Sequence, residues 1–141
     1  MKKFGRVLRI IFYAISAIAL LVAAALMINP FLRSEAGIRN HLLRITPIGT
    51  SMEDVIRVAD SNNGWTIRVI REEHGVVLHP RRLTPTGSSP TRDFPVVGEQ
   101  SVRIFLGFHG FILKPAVTAF YAFDENGKLI EIFVRKEYDV I

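Results

Sequence analysis

His74 and His79 stand five positions apart behind the pair Glu72-Glu73, and imidazole and carboxylate are both zinc ligands. A metal needs three or four such groups to converge, and a five-residue step around a turn matches no established ligand pattern. Solvated turn residues are the plainer account, and no metal is expected. Ser51 has the type of a nucleophile without its setting, because the chain has no cysteine and no Gly-x-Ser-x-Gly elbow. Helix capping explains it better. Asp124 and Glu125 are adjacent turn residues whose side chains project differently, so they do not read as an acid–base pair. The sequence carries no phosphate loop, dinucleotide fingerprint, haem-attachment site or zinc-metalloprotease motif. Neither a catalytic residue nor a cofactor is expected, and the chain does not read as an enzyme.

Two segments have the residue types of binding surfaces. Phe105-Leu106-Gly107-Phe108-His109-Gly110-Phe111-Ile112-Leu113 alternates aromatics with glycines. Pointing outward, its rings would suit a partner or a membrane surface. The expectation is that they are mostly core, since a small domain without disulfides must bury its large side chains, with Phe108 the exception. The second segment carries Arg81, Arg82, Arg92 and Phe94 in a stretch rich in proline, threonine and serine. Such a loop suits docking on an acidic partner.

The elements that hold these segments begin with a membrane-type run. Ile10 to Ile28 is uncharged and follows Lys2, Lys3, Arg6 and Arg9. At about 1.5 Å per residue it reaches roughly 28 Å, near the thickness of a bilayer's hydrocarbon core. The basic residues predict an N-terminus retained in the cytoplasm and a C-terminal part outside it. A cleaved signal peptide is the rival, with Ala23-Ala24-Ala25 as small residues for a peptidase, but the apolar run is long for one. The absence of cysteine excludes a lipidated N-terminus. Of the 18 basic residues four lie in the tip, and the remaining 14 face 13 acidic ones. That near balance argues against nucleic acid as a partner.

The predicted organisation is a tip over 1–9, an anchor over 10–28, a linker over 29–34 and one α+β domain over 35–141 with a mobile loop over 81–98. Ile38, Leu42 and Ile45, with Leu43 beside them, mark a helix over Glu35–Ile45 whose Arg39 and Arg44 face water. Thr50 with Glu53, or Ser51 with Asp54, can cap a second helix whose stripe is Met52, Val55, Ile56 and Ala59. The period then falls to two. Trp65, Ile67 and Val69 share one face of a strand, and Val76-Val77-Leu78 returns as a second strand after the turn at Glu72–Gly75. Ser101–Leu106 and Val117–Phe123 are further strands, the latter partly buried on both faces. Asp124-Glu125-Asn126-Gly127 is a tight-turn signal that folds Leu129–Arg135 back on it. Helices followed by strands argue two short helices on one face of an antiparallel sheet of three to five strands.

Gly49-Thr50-Ser51-Met52-Glu53-Asp54-Val55 resembles the opening of the second helix in the SmpA/OmlA (BamE-like) family of small bacterial envelope proteins. Tyr121 to Leu129 resembles that family's closing hairpin. The resemblance covers Glu35 to about Lys136 and implies two helices on a three- or four-stranded antiparallel sheet, an exported location and a role in protein contacts. The chain departs from the family's pattern in lacking a lipid-attachment cysteine and in having Asn62-Asn63-Gly64-Trp65 where a glycine and proline often follow the helix. The expected function is a membrane-anchored, extracytoplasmic, non-catalytic binding or scaffolding module with an unidentified envelope or membrane protein as partner. The alternative is a secreted inhibitor or immunity-type protein.

Overall fold

The computed structural model describes residues 2–78 and 94–138. A long apolar helix, α1 (Lys2–Ile28), leads through one 3₁₀ turn (Pro30–Leu32) to α2 (Glu35–Ile45) and α3 (Met52–Ser61). Among the described residues six strands follow: β1 (Thr66–Arg71), β2 (Val76–Val77), β3 (Val96–Val97), β4 (Gln100–Phe108), β5 (Ala116–Phe123) and β6 (Leu129–Glu137). The protein is α+β, with an antiparallel sheet in the order β1-β4-β5-β6 and a separate β2-β3 ribbon.

One face of the sheet carries Val102, Ile104 and Leu106 of β4, Val117, Ala119, Tyr121 and Phe123 of β5, and Leu129 and Ile132 of β6. Ile38 and Leu42 of α2 and Val55 and Ala59 of α3 complete this core, so both helices lie on the same face. The stripe of α2 turns one position later than its sequence suggests. Thr46 is buried and Ile45 is exposed, because 38, 42 and 46 keep the four-residue step and Thr46 satisfies its hydroxyl on the Leu42 carbonyl at 2.9 Å. Arg39 does not face open water either. Its guanidinium pairs with Glu131 (2.5 Å) and donates to the Ile132 carbonyl, while Glu35 accepts from the Lys136 amide at 2.7 Å. These contacts cover the edge presented by β6.

The opposite face explains why β5 is buried almost throughout. Phe120 and Ala122 lie under Val76, with Leu78, Val97 and Phe133 packed around them. Val76-Val77 therefore does not return along β1. It pairs with Val96-Val97, which the sequence places within a loop, and β1 pairs with β4 instead. Burying Val76 and Val97 on the second face stabilises the ribbon as a cover, which a two-residue hairpin strand along β1 would not provide. A bulge between Ile67 and Val69 also breaks the expected alternation: Ile67 stands opposite Ile104 on the helix side, whereas Val69 stands opposite Arg103, whose guanidinium lies 5.5 Å from the Phe120 ring.

Of the two possible caps for α3, Ser51 is the one used, accepting from the Asp54 amide at 3.2 Å. Thr50 instead donates to the Pro47 carbonyl at 2.6 Å. The same segment is stitched to the β5–β6 turn through Met52 N–H to the Gly127 carbonyl (2.9 Å), Leu129 N–H to the Thr50 carbonyl (2.8 Å) and a bridge between Ser51 and Lys128.

Candidate functional site

The 3₁₀ turn after α1 sits at one end of the sheet, and the strands that end there position the site. Asn29 caps the turn by accepting from the Phe31 amide at 3.0 Å, and proline at its first position supplies the fixed φ a helical start needs. Arg33 reaches back to the Leu26 carbonyl at 3.1 Å, satisfying one of the free carbonyls at the end of α1. Residues 29–34 are thus not a loose linker. Phe31 packs against the core, 6.0 Å from Trp65 and 5.9 Å from His41 in edge-on contacts, and stacks on His109 at 4.8 Å. Burial first, then the charges of Arg44 and Arg33, hold His41 below its ordinary pKa, which keeps the ring neutral within this cluster. On the neighbouring strand Lys136 donates to the Arg33 carbonyl, and burial lowers its pKa against the opposing pull of Glu35.

His109 opens the turn between β4 and β5. Its ring nitrogen Nε2 lies 2.8 Å from the Leu106 carbonyl, and its amide donates to the Pro115 carbonyl at 3.1 Å. A Cβ at position 110 would run into the Leu113 carbonyl, so glycine is required there to fold the tip. Beyond this neck the side chains are in solvent: Phe111 is 61%, Ile112 93% and Leu113 69% exposed. Phe108 is 59% exposed and leans edge-on against Phe105 at 5.2 Å, and Arg68 lies over the Phe105 ring at 5.1 Å. The expectation that most of these aromatics are core is corrected beyond Phe108: Leu106 is buried, Phe105 half-buried and Phe108 exposed as expected, but Phe111, Ile112 and Leu113 are exposed as well and give the hairpin an apolar tip. The signal is present in the long gap between strand-like runs, which exceeds a tight turn and leaves 111–114 beyond the reach of either sheet face.

Arg81, Arg82, Arg92 and His79 lie outside the described residues. The described chain stops at Leu78 and resumes at Phe94, which is half-buried, and Leu78 is tied to the Pro95 carbonyl at 2.9 Å on the ribbon side of the sheet. Phe108 and Phe94 are therefore not brought together by any shared strand pair. His74 is exposed beside Glu72 and Glu73, and its carbonyl accepts from the Ser101 hydroxyl at 2.8 Å. Among the described residues no group of three or more His, Asp or Glu side chains gathers as a metal site would need. Ser51 is engaged as a cap with Asp54, and the Asp124 carboxylate accepts from the Asn126 and Lys128 amides at 2.9 Å each.

α1 provides the other feature of this end. Over Gly5–Ile28 it is long and apolar enough to cross a membrane, and its apolar side chains are left uncovered by the domain. Comparison with protein-family models, with curated proteins and with solved structures found no match to this chain.

Proposed function

We propose that the chain is a single-pass membrane protein of the bacterial envelope whose α+β domain works outside the cytoplasm as a non-catalytic binding or scaffolding module. The observation that carries this reading is the joint between α1 and the domain. A 24-residue apolar span, uncovered by protein, ends in a turn whose Phe31, three residues later, packs half-buried against the domain core. An uncovered apolar helix of that length is stable in lipid and not in water. Retained basic residues in the first turns orient it with the N-terminus inside. So short a joint holds the domain within a few nanometres of the bilayer, which raises its effective concentration toward membrane-embedded partners.

The likeness to the BamE-like family stays part of this proposal. Its support is that the two resembling stretches, 49–55 and 121–129, are hydrogen-bonded to each other at the foot of α3. Contact with an acidic envelope protein is assigned to Arg81, Arg82 and Arg92, basic residues of the proline- and serine-rich stretch of sequence. Membranes from cells expressing the full chain, washed in alkaline carbonate, test the anchor. The intact polypeptide is expected in the pellet, with a C-terminal tag degraded by protease added from outside the cytoplasm. Release into the supernatant at full length, or a tag active in the cytosol, overturns the reading; a soluble chain lacking α1 favours the secreted inhibitor.

A further inference from the structure

The sheet has two ends, and chain direction assigns each element to one of them. β4 and α3 run toward the end where the 3₁₀ turn sits, and α2 and β5 run away from it, so Phe31, Trp65, His109 and Lys136 gather where α1 leaves. The apolar tip of the β4–β5 hairpin springs from that same end, directly after the His109 ring that stacks on Phe31. We infer that this hairpin tip, Phe108 with Phe111, Ile112 and Leu113, is a finger that inserts into the lipid surface beside α1.

Resting on the membrane-anchor reading, this inference adds a second contact between domain and bilayer. Reach is sufficient: Ile112 is three residues beyond His109, at most about 10 Å of chain, and interfacial insertion extends about 5–10 Å into the boundary between headgroups and acyl chains. The chemistry is that of a lipid surface. Three large apolar side chains project from a narrow turn with no polar side chain among 111–113, Phe108 flanks them from the end of β4, and exposed Lys114 follows, able to run its stem along the acyl region and leave its ammonium at the phosphates. Tyr138, also exposed, lies just past the end of β6 at the same end of the sheet and has the amphipathic ring favoured at headgroup level. A finger offers a protein partner little area to bury, whereas a bilayer two or three residues away from Ile28 is already present. Other exposed apolar side chains, such as Ile48, Ile70 and Val96, are scattered singly.

The chain's lack of cysteine makes the test direct, since one introduced thiol carries one label. Ile112→Cys, Leu20→Cys and Glu125→Cys full-length variants are labelled with an environment-sensitive fluorophore. Each is reconstituted in vesicles of phosphatidylcholine and phosphatidylglycerol in equal parts. Labels at 20 and 112 are expected to emit to the blue and to be quenched by nitroxide-bearing lipids, while the label at 125 is quenched only by aqueous iodide. A label at 112 that iodide quenches, with the label at 20 still in lipid, overturns the finger and leaves the anchor intact. If that same iodide-exposed position crosslinks to another protein in native membranes, the tip is a protein contact and the lipid finger is likewise overturned. A label at 20 found in water overturns the anchor reading itself, and the finger falls with it.

Discussion

The two hairpin turns at opposite ends of β5 are built on opposite principles. At the far end, Asp124 to Lys128 is short, polar and tied down. Asp124 closes it on two amides, Gly127 adopts φ 70°, and the segment before α3 is bonded to it from the other side. At the near end, the turn from His109 to Pro115 is held at its neck and bare at its tip, with Ile112 almost fully exposed. A small domain held only by its core has every reason to bury four large apolar side chains. That it leaves them in solvent at one end while sealing the other teaches that the near turn is shaped by something other than folding stability.

Paired substitutions break this contrast most strongly. Leu129→Ala, at the root of the far turn and fully buried, is expected to lower stability by about 2–5 kcal/mol, whereas Ile112→Ser at the near tip should stay within about 0.5 kcal/mol of the parent in urea unfolding of the full chain in detergent. A comparable loss at both positions would mean the tip is packed and not free.

Alkaline pH probes the far end next. Tyr121 is fully buried in the core with its hydroxyl facing the Thr46 side chain outside ideal hydrogen-bond geometry, and burial pushes its pKa up from 10.0 to about 12 against the opposing effect of Thr46. The folded state therefore keeps a proton that the unfolded chain releases above pH 10. Stability falls as pH rises from about 10 to 12, by roughly 2–3 kcal/mol in total. Tyr121→Phe should remove that slope and change stability by less than about 1 kcal/mol at pH 7, since the hydroxyl meets only the Thr46 side chain and makes no well-formed hydrogen bond. An unchanged alkaline limb in the variant would place the titrating group elsewhere. A smaller loss than at Leu129 is expected from Asp124→Ala, about 1–2 kcal/mol from two lost charge-assisted bonds, read as a shift in the urea midpoint without a change in its slope.

Legibility follows the range of the interactions. The Asp-Glu-Asn-Gly turn, the Ser51 cap and the helix over Glu35–Ile45 depend on neighbours within four or five residues, so residue type and spacing suffice to read them. The partner of Val76-Val77 lies some twenty residues on, beyond a proline- and serine-rich stretch that hides Val96-Val97. No local pattern signals such a pairing, nor the bulge that turns Val69 to the second face. The candidate site was half visible. Phe108 stood out as an aromatic between glycines, but whether Phe111, Ile112 and Leu113 are covered depends on where the 3₁₀ turn docks, and Phe31 gave no periodic cue. The expectation of core is the physically ordinary one, and it fails for residues 111–113 because the sheet ends before they begin.

The latch on β6 has a consequence for how the chain is made. Arg39 grips Glu131 across 92 residues, Glu35 meets Lys136 across 101, and Thr50 waits for Leu129, so α2 and the segment that leads into α3 complete their bonds only with the last strand described. Such distant closures make for slow folding. During translation the apolar stripes of α2 and α3 therefore lack their full cover until β6 emerges, a window in which a holding chaperone would find its purchase and a prematurely terminated chain would have no route to closure.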